Sequence, residues 1–527
     1  MSPLAGTWRV VGAHLRTGWR SLTLSAGAMA GLVVAMAAGV FALYPTPESR
    51  AAYAASMGAS PATMAFNGQW PDLASPGGIT TYEVGFIGLL AFPPIALHLA
   101  ISRTRAEEDS GRAELLTAGR LGRLAPLSGA LIALTLTLVV FATAAAVGLI
   151  AVGLPVRGTL WYAGSLGLFA WWFAALGLLA AQLARTARTA MGLGLAAALG
   201  IFLVRAVIDG RGIDAQWLTP MGWLPLARPF GPEPTALPLL AFAVTGLALI
   251  GLAALLAGRR DLGAGALAPR PGPATGSPLL GHPFGVAARL TRGAALGWGI
   301  GLLAWGAALG TLTADMADLV RTNPDLAQLL GGGRPEDIVT SLALVVIALG
   351  GGALGLQALG TLQAEEASGR LGLLFGAPIV RARLWTAWWF VIALQMALAM
   401  GVGAVGLGIS TRLVIDRPSA LADAVTGVAS YLPAMLALVA VTALAAMIVR
   451  GGAALGWVLL AWTAVVALLA ETLRLPQWAR QVSVLEHVGR VPIEAAEPLA
   501  LAALAAGAVC ALAVATAVGR VRDLRAG

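Results

Sequence analysis

The sequence predicts an all-α, polytopic membrane protein built from two related halves. Hydrophobic residues make up 58% of the chain and charged residues only 11%, whereas a soluble domain carries about 25% charged residues. Many apolar runs reach the length of about 18 residues that a membrane-spanning helix needs. One polar motif also occurs twice, each time directly after a long apolar run, which indicates an internal duplication.

Twelve apolar stretches predict twelve spanning helices. Their approximate ranges are 21–43, 82–101, 125–150, 160–183, 189–208, 236–257, 294–314, 338–361, 384–410, 425–449, 453–472 and 498–518.

The segment before the first spanning helix predicts a separate, basic amphipathic helix. Its apolar face carries Trp8, Val11, Leu15 and Trp19, and its arginines are Arg9, Arg16 and Arg20. Such a helix lies in the membrane interface. It is either an anchor that fixes topology or an elbow that passes motion into the first spanning helix.

Arginine placement predicts that both termini lie in the cytoplasm. With the N-terminus inside, the inner segments hold 22 arginines and 8 acidic residues, and the outer segments hold 12 arginines and 17 acidic residues. The inner side then carries a net charge of +14 and the outer side −5. This asymmetry is typical of a multi-pass protein, so nucleic-acid binding is not needed to explain the positive net charge.

A second repeated motif indicates that the duplication covers whole halves. Arg260-Asp261-Leu262 follows the sixth predicted helix, and Arg522-Asp523-Leu524 follows the twelfth. A segment rich in Pro and Gly separates the halves and is typical of a linker. We therefore predict a first six-helix half at residues 1–266, a cytoplasmic linker at 267–283 and a second six-helix half at 284–527.

The first repeated motif is the candidate docking element. Residues 107–112 read Glu-Glu-Asp-Ser-Gly-Arg, and residues 365–370 read Glu-Glu-Ala-Ser-Gly-Arg. Glu108 and Arg112 are four residues apart, as are Glu366 and Arg370, which is the spacing of an ion pair on a helix. The motif predicts a short amphipathic helix that faces the cytoplasm and binds a soluble partner; an ordinary solvated loop is the alternative.

The basic residues exclude some chemistries. All 34 of them are arginine, and a Walker A phosphate loop requires a lysine. Any ATP-driven work must therefore use the nucleotide site of another polypeptide. The four histidines are scattered without metal-ligand spacing, so neither a metal site nor an enzyme activity is predicted.

Polar residues within the predicted spans are few. Glu83, Asp209 and Glu471 fall at outer helix ends, where water and headgroups can solvate them, so a proton relay at the midplane is poorly supported. Two amides and two indoles lie deeper and could line a path for an amphipathic substrate: Gln357, Gln395, Trp388 and Trp389. Helix packing is the alternative role for each of them.

The whole chain resembles the membrane subunit of bacterial ABC exporters, specifically the permeases of the polyketide-antibiotic (tetronasin-type) export family. The resemblance rests on the two Glu-Glu-x-Ser-Gly-Arg motifs, which the pairs Leu115-Leu116 and Leu373-Leu374 follow, and on the linker run from Arg259 to Ala274. It implies two fused six-helix exporter halves in the bacterial plasma membrane. Their function would be the ATP-driven efflux of polyketide-like antibiotics or other hydrophobic drugs.

The resemblance also implies a partner. A separately encoded ATP-binding subunit, acting as a dimer, would hold ATP and Mg, and this chain would bind no cofactor itself. The dimer would dock on coupling helices at about residues 103–123 and 364–383. Residues that contact the ATPase or shape its seat would be Glu107, Glu108, Gly111, Arg112, Glu365, Glu366, Gly369 and Arg370.

The two copies depart from the family pattern differently. A proline often follows the leucines, as at Pro378, but the first half has Arg120 there; an acid often precedes them, as at Glu114, but the second half has Gly372. Unequal docking sites are therefore expected. Two other functions stay open: a proton-driven secondary drug transporter, which needs ionisable groups near the midplane, and a lipid-handling membrane protein.

Overall fold

Regular structure in the described residues is entirely helical. The computed structural model describes residues 2–57, 64, 67–112, 121–261, 263–267, 275–322, 334–375, 379–470 and 475–524, and these contain no β-strand. The chain divides into two compact units, Met1–Gly272 and Pro273–Gly527. The boundary falls within the segment 267–283.

The first unit contains nine described α-helices and one 3₁₀ turn, Gln216–Leu218. The helices are α1 (Thr7–Leu43), α2 (Pro47–Met57), α3 (Pro76–Ser102), α4 (Arg105–Asp109), α5 (Ala125–Val152), α6 (Val156–Leu183), α7 (Ala187–Gly210), α8 (Pro220–Leu226) and α9 (Leu237–Arg259).

The second unit contains eight described α-helices after the 3₁₀ turn Pro278–Gly281. They are α10 (Pro283–Thr322), α11 (Pro335–Ala367), α12 (Arg370–Leu374), α13 (Arg381–Ile415), α14 (Ala420–Ile448), α15 (Ala453–Leu469), α16 (Gln477–Arg480) and α17 (Pro498–Val521).

The polytopic membrane fold is confirmed. Eleven helices in the described part of the chain are long and apolar enough to cross a bilayer: α1, α3, α5, α6, α7, α9, α10, α11, α13, α14 and α17. The remaining predicted span corresponds to α15, which has 17 residues and is therefore about 25 Å long. The predicted span 453–472 was longer, and residues 471–472 lie outside the described residues.

The predicted interfacial helix at the N-terminus is not a separate element. It continues without interruption into the first spanning helix, and together they form the 37-residue α1. No proline lies between Thr7 and Leu43 to remove a backbone hydrogen bond and end the helix. Trp8 and Trp19 are exposed on its first half, as expected of the predicted amphipathic face. The helix therefore continues into the span without a bend that proline would cause, and whether it acts as an anchor or passes motion into that span stays a prediction.

The same helix pairs pack in both units. The first spanning helix lies against the third, as α1 on α5 and α10 on α13, and the fourth lies against the sixth, as α6 on α9 and α14 on α17. Small residues permit the closest approach: a Cβ at Gly306 would lie 2.1 Å from the carbonyl oxygen of Gly403. Packing of this kind through small residues is typical of helices within a membrane.

The turn between the second and third spanning helices lies beside the C-terminal end of the sixth in each unit. Arg123, just before α5, donates to the carbonyl oxygen of Arg260 at 2.9 Å. Arg381, at the start of α13, donates to the carbonyl oxygen of Arg522 at 3.2 Å. Within each unit, this arrangement brings the Glu-Glu-x-Ser-Gly-Arg motif close to the Arg-Asp-Leu motif.

Candidate functional site

Each Glu-Glu-x-Ser-Gly-Arg motif forms a helix end followed by a reversal at its glycine. We call residues 107–112 the first motif turn and residues 365–370 the second motif turn. In the first, α4 ends at Asp109, and Gly111 has φ +75°. In the second, α11 ends at Ala367, and Gly369 has φ +73°. Glycine adopts this left-handed conformation at the lowest cost, so the motif needs it there.

The first acid of each motif binds the motif arginine. Arg112 donates from Nε and Nη2 to the carboxylate of Glu107 at 2.8 and 3.0 Å. Arg370 makes the same two bonds with Glu365, both at 2.7 Å. The predicted pairing of Glu108 with Arg112 and of Glu366 with Arg370 is therefore wrong. The helix ends between the two residues, and the reversal brings the arginine back to the acid five positions earlier.

These pairs leave the two arginines facing outward. The side chains of Arg112 and Arg370 are 62% and 58% exposed, whereas those of Glu107 and Glu365 are 21% and 14% exposed. The hydrogen bonds from Arg112 lower the pKa of Glu107 and outweigh its partial burial. In the second motif turn, the bond with Glu365 raises the pKa of Arg370. Each turn thus presents a fixed guanidinium whose position its own acid sets.

The second acid of the first motif turn points into the unit. Arg260, which follows α9, donates to the two carboxylate oxygens of Glu108 at 2.5 and 2.9 Å. Arg105 adds a bond at 2.8 Å, and the backbone N–H of Gly263 adds one at 3.3 Å. The side chains of Glu108 and Arg260 are only 12% and 9% exposed.

A surrounding network holds both arginines of this cluster. Nε of Arg105 donates to the carbonyl oxygen of Ala181 at 2.7 Å. Burial lowers the pKa of Arg105, and the nearby carboxylate of Glu108 opposes that shift. Nε of Arg260 donates to Gln182 at 2.7 Å. The end of α6 is thereby joined to the same cluster.

The second acid of the second motif turn makes the equivalent contact. Arg522, which follows α17, donates to the two oxygens of Glu366 at 2.6 and 2.7 Å. Their side chains are 13% and 8% exposed, respectively. The guanidinium also lies 5.5 Å from the ring centre of Trp385, whose indole N–H donates to the carbonyl oxygen of Gly519 at 3.0 Å.

Sequence reasoning missed the role of Arg260 and Arg522. The repeated Arg-Asp-Leu motif was the available signal, but it was interpreted only as evidence of duplication. The structure also divides the predicted site residues into two groups. Glu107, Arg112, Glu365 and Arg370 form the outer pairs, while Glu108 and Glu366 bind internal arginines.

Parts of the predicted coupling helices lie outside the described residues. These parts are residues 113–120 and 376–378, which include Glu114, Leu115, Leu116, Arg120 and Pro378. Within the described part, the first motif turn follows the break between α3 and α4 at Thr104, whereas α11 runs unbroken into the second. The predicted inequality of the two copies therefore has a backbone counterpart.

A cavity of about 410 Å³ lies beside the first motif turn. Its wall combines apolar side chains, including Val10 and Leu127, with the charged Arg103, Glu107 and Arg260. Arg103 donates to the hydroxyl of Ser21 at 2.5 Å, and the N–H of Gly122 donates to the carbonyl oxygen of Ala5 at 2.8 Å. The start of α1 is thus attached to the segments on both sides of the turn.

The four predicted substrate-path residues do not converge on one site. Trp388 and Trp389 lie in the core of the second unit, and Trp389 donates to Thr516 at 3.1 Å. Gln395 donates to Thr291 of α10 at 2.9 Å, and exposed Gln357 accepts from Trp298 of the same helix at 2.8 Å. All except Trp388 make side-chain hydrogen bonds between helices.

Two polar atoms on one face of α13 stand apart from this pattern. The indole N–H of Trp388 and the amide oxygen of Gln395 are buried, and neither has a hydrogen-bond partner among the described residues. Their positions are seven residues apart, which places them two helical turns apart on the same face.

The buried acid at the C-terminal end of α7 corrects another expectation. Asp209 was expected to be solvated, but its side chain is 1% exposed and pairs with Arg205 at 3.4 Å. The polar segment around Gln69 covers it, with the Gln69 amide donating to the carbonyl oxygen of Asp209 at 3.2 Å. Glu83 accepts from the hydroxyl of Tyr53, and Glu471 lies outside the described residues.

Within the described ranges, no group of three or more His, Cys, Asp or Glu side chains is placed to hold a metal ion.

Comparison with known proteins places the chain in a transporter family. Residues 280–520 match the family described as the C-terminal domain of multidrug efflux system permease Rv1217c. The multidrug efflux system permease protein Rv1217c of Mycobacterium tuberculosis is 31% identical over 461 residues, which cover 86% of this chain and 83% of that protein. Together with the eleven apolar helices, these matches define a multi-pass membrane permease. The chain belongs to the family of the Rv1217c permease.

Proposed function

We propose that this protein is the membrane subunit of an ATP-driven ABC exporter that effluxes hydrophobic drugs. The chain would lie in the bacterial plasma membrane with both termini in the cytoplasm. ATP and Mg would bind a separate ATPase dimer, since this chain has no lysine for a phosphate loop. The similarity to a multidrug efflux permease supports drug export.

The observation that carries the proposal is the pair of outward-facing arginines, one on each motif turn. Each is fixed by two hydrogen bonds to the first acid of its motif. A guanidinium held in this way loses little further conformational freedom when a partner binds, and it can make directed contacts with that partner. Two similar turns, one in each unit, fit the two subunits of an ATPase dimer.

The same geometry assigns different roles to the two acids. Glu107 and Glu365 position the exposed arginines, so their replacement would disturb the surface that the ATPase contacts. Glu108 and Glu366 bind arginines within their own units, so their replacement would leave the exposed arginines and their acids in place. Arg112 and Arg370 are therefore the cleanest positions for a docking test.

Charge reversal tests the proposal. We expect Arg112→Glu together with Arg370→Glu to leave the permease folded but to reduce copurification of the co-expressed ATP-binding subunit and drug resistance. A loss of at least about tenfold is expected, because like-charge contacts across an interface typically cost several kcal/mol. Normal copurification together with full resistance would overturn the proposal.

Matched controls are available at the opposite helix ends. Arg211 follows the C-terminal end of α7, whose N-terminal end contacts Asp109. Arg412 lies in the last turn of α13. Both side chains are exposed, so Arg211→Glu with Arg412→Glu makes the same change in net charge away from the motif turns. This control should retain ATPase binding and resistance.

Polyketide-like antibiotics are the substrate class that we propose. The buried, unpaired polar atoms of Trp388 and Gln395 support recognition of a compound that is mostly apolar and has a few hydrogen-bonding groups. Gln395→Leu should change the pattern of resistance across a drug panel while ATPase binding stays normal. Thr516→Val, which removes the hydroxyl that Trp389 contacts, is the control. An unchanged pattern for Gln395→Leu would argue against this path.

A further inference from the structure

We propose that Arg260 and Arg522 are positioning residues that make the sixth spanning helix of each unit move with its motif turn. This inference rests on the proposed ATP-driven export, and it names the element that the ATPase displaces. The helices concerned are α9 in the first unit and α17 in the second.

The contact that carries the inference recurs in both units with the same partners. In each, the second acid of the motif turn binds the guanidinium of the arginine that follows the sixth helix. In each, an arginine after the turn donates to the carbonyl oxygen of that same residue, as Arg123 to Arg260 and Arg381 to Arg522. The chain on both sides of the turn is therefore bonded to the end of one helix.

The chemistry makes this connection stiff. Each carboxylate accepts two bonds from one guanidinium, and bonds between ionised groups are shorter and about twice as strong as neutral ones. The four side chains are between 8% and 13% exposed, so water screens them little. Breaking either pair would leave a charge largely out of water, and displacement of the turn therefore displaces the helix end too.

The sixth helices also bury little of their apolar surface within their units. Only 17% of the apolar window of α9 and 11% of that of α17 is buried, the lowest values in their units among the eleven spans. By contrast, α6 reaches 72% and α11 reaches 78%. A helix that buries little of its surface moves at lower cost than a deeply buried one, so a pull at one end can shift α9 or α17 more readily than α6 or α11.

The single cysteine of the chain allows this movement to be measured. Cys510 is exposed and lies on α17, twelve positions before Arg522. In the complex with an ATP-binding subunit freed of its own cysteines, an environment-sensitive maleimide on Cys510 should change its emission when ATP binds. We expect Arg522→Gln to reduce that change by at least about fivefold, the lower end of typical coupling between sites. ATPase copurification should stay normal.

Three further variants separate positioning from general stability. Arg522→Lys keeps the charge but loses the two-pronged geometry, so it should restore part of the response. Arg417→Gln removes an arginine that contacts Asp337 and Asp423 elsewhere in the same unit, and it should keep the full response. Should Arg522→Gln fail to fold, Glu366→Gln tests the same contact from the other side.

The outcomes distinguish this inference from the proposed function. A full ATP response in folded Arg522→Gln and Glu366→Gln would overturn the inference and leave ATP-driven export intact. A wild-type chain that neither copurifies an ATPase nor responds to ATP would overturn the proposed function, and the inference with it.

Discussion

The two buried Glu–Arg pairs make the same contact in different surroundings. In the first unit, Arg105 and the N–H of Gly263 also bind Glu108, and the amide of Gln182 binds Arg260. In the second unit, Gln363 occupies the position of Arg105, and Arg522 lies over the ring of Trp385 with its Nε 3.3 Å from the sulfur of Met447. One pair is embedded in a polar network, and the other lies against aromatic and sulfur groups.

This difference predicts how each unit responds when its arginine is lost. A carboxylate that retains a second guanidinium stays partly neutralised after its first arginine is lost, and Arg105 is such a second guanidinium for Glu108. Arg105 is therefore a reserve in the first unit, whereas the residue at the matching position of the second unit is the neutral Gln363.

The largest expected effect is that of Arg522→Gln. We expect it to destabilise the second unit by about 3 kcal/mol, because breaking a buried pair leaves the charge of Glu366 largely out of water. The fall in the thermal unfolding midpoint of the purified protein measures it. An unchanged midpoint would show that the pair contributes nothing to the fold.

Arg260→Gln should have a smaller effect, of about 1.5 kcal/mol, since Arg105 continues to neutralise Glu108. Arg105→Gln, combined with Arg260→Gln, tests this explanation, because it gives the first unit the glutamine that the second unit has at the matching position. The double variant should then lose more than the sum of the two single variants in the same thermal assay. Simple additivity would mean that Arg105 is not the reserve.

Replacing the glycine of each motif turn should destabilise the protein less than either arginine substitution. Gly111→Ala and Gly369→Ala should each destabilise by about 1 kcal/mol, because alanine is strained at positive φ. Nothing lies within 4 Å of a Cβ built at either position, so no steric clash adds to the cost. Gly360→Ala in the middle of α11 is the control; its Cβ is equally unobstructed and its backbone is helical, so it should not destabilise.

The smallest expected effect is that of pH on docking. The hydrogen bonds from Arg112 keep the pKa of Glu107 below its ordinary value. The stabilisation of the motif turn by this pair is therefore fully present above the ordinary carboxyl range, and it is lost only as the pH falls through the lowered pKa. ATPase copurification through the motif turns should therefore be constant between about pH 6 and 8. A marked decline within that interval would assign docking to another titrating group.

Much of the fold followed from the sequence because hydropathy alone identifies spanning helices. Backbone groups in a bilayer must be satisfied within a helix, so long apolar runs leave few alternatives. The continuity of α1 was missed because a change in polarity at a membrane surface does not end a helix, and no proline marks a break.

The two motif turns were found from the sequence, but their contacts were not. The spacing of Glu108 and Arg112 suggested a helical pair, and the left-handed Gly111 between them replaced it with a pair to Glu107. The partner of Glu108 is 152 residues away at Arg260, and such a contact depends on how helices pack. The contact between Gln69 and the carbonyl oxygen of Asp209 likewise joins residues that are 140 positions apart.

Drug-stimulated ATP hydrolysis by the complete complex gives the most direct test of the central claim that each motif turn acts through the sixth helix. The variants are Glu366→Gln, Arg522→Gln and their combination, with Glu108→Gln and Arg260→Gln as the first-unit set. We predict that the drug-stimulated ATPase rate falls about tenfold in each second-unit single variant. The rate of the double variant should fall no further, because the two substitutions remove the same contact. Losses that multiply to about a hundredfold, or no loss at all, would contradict the account.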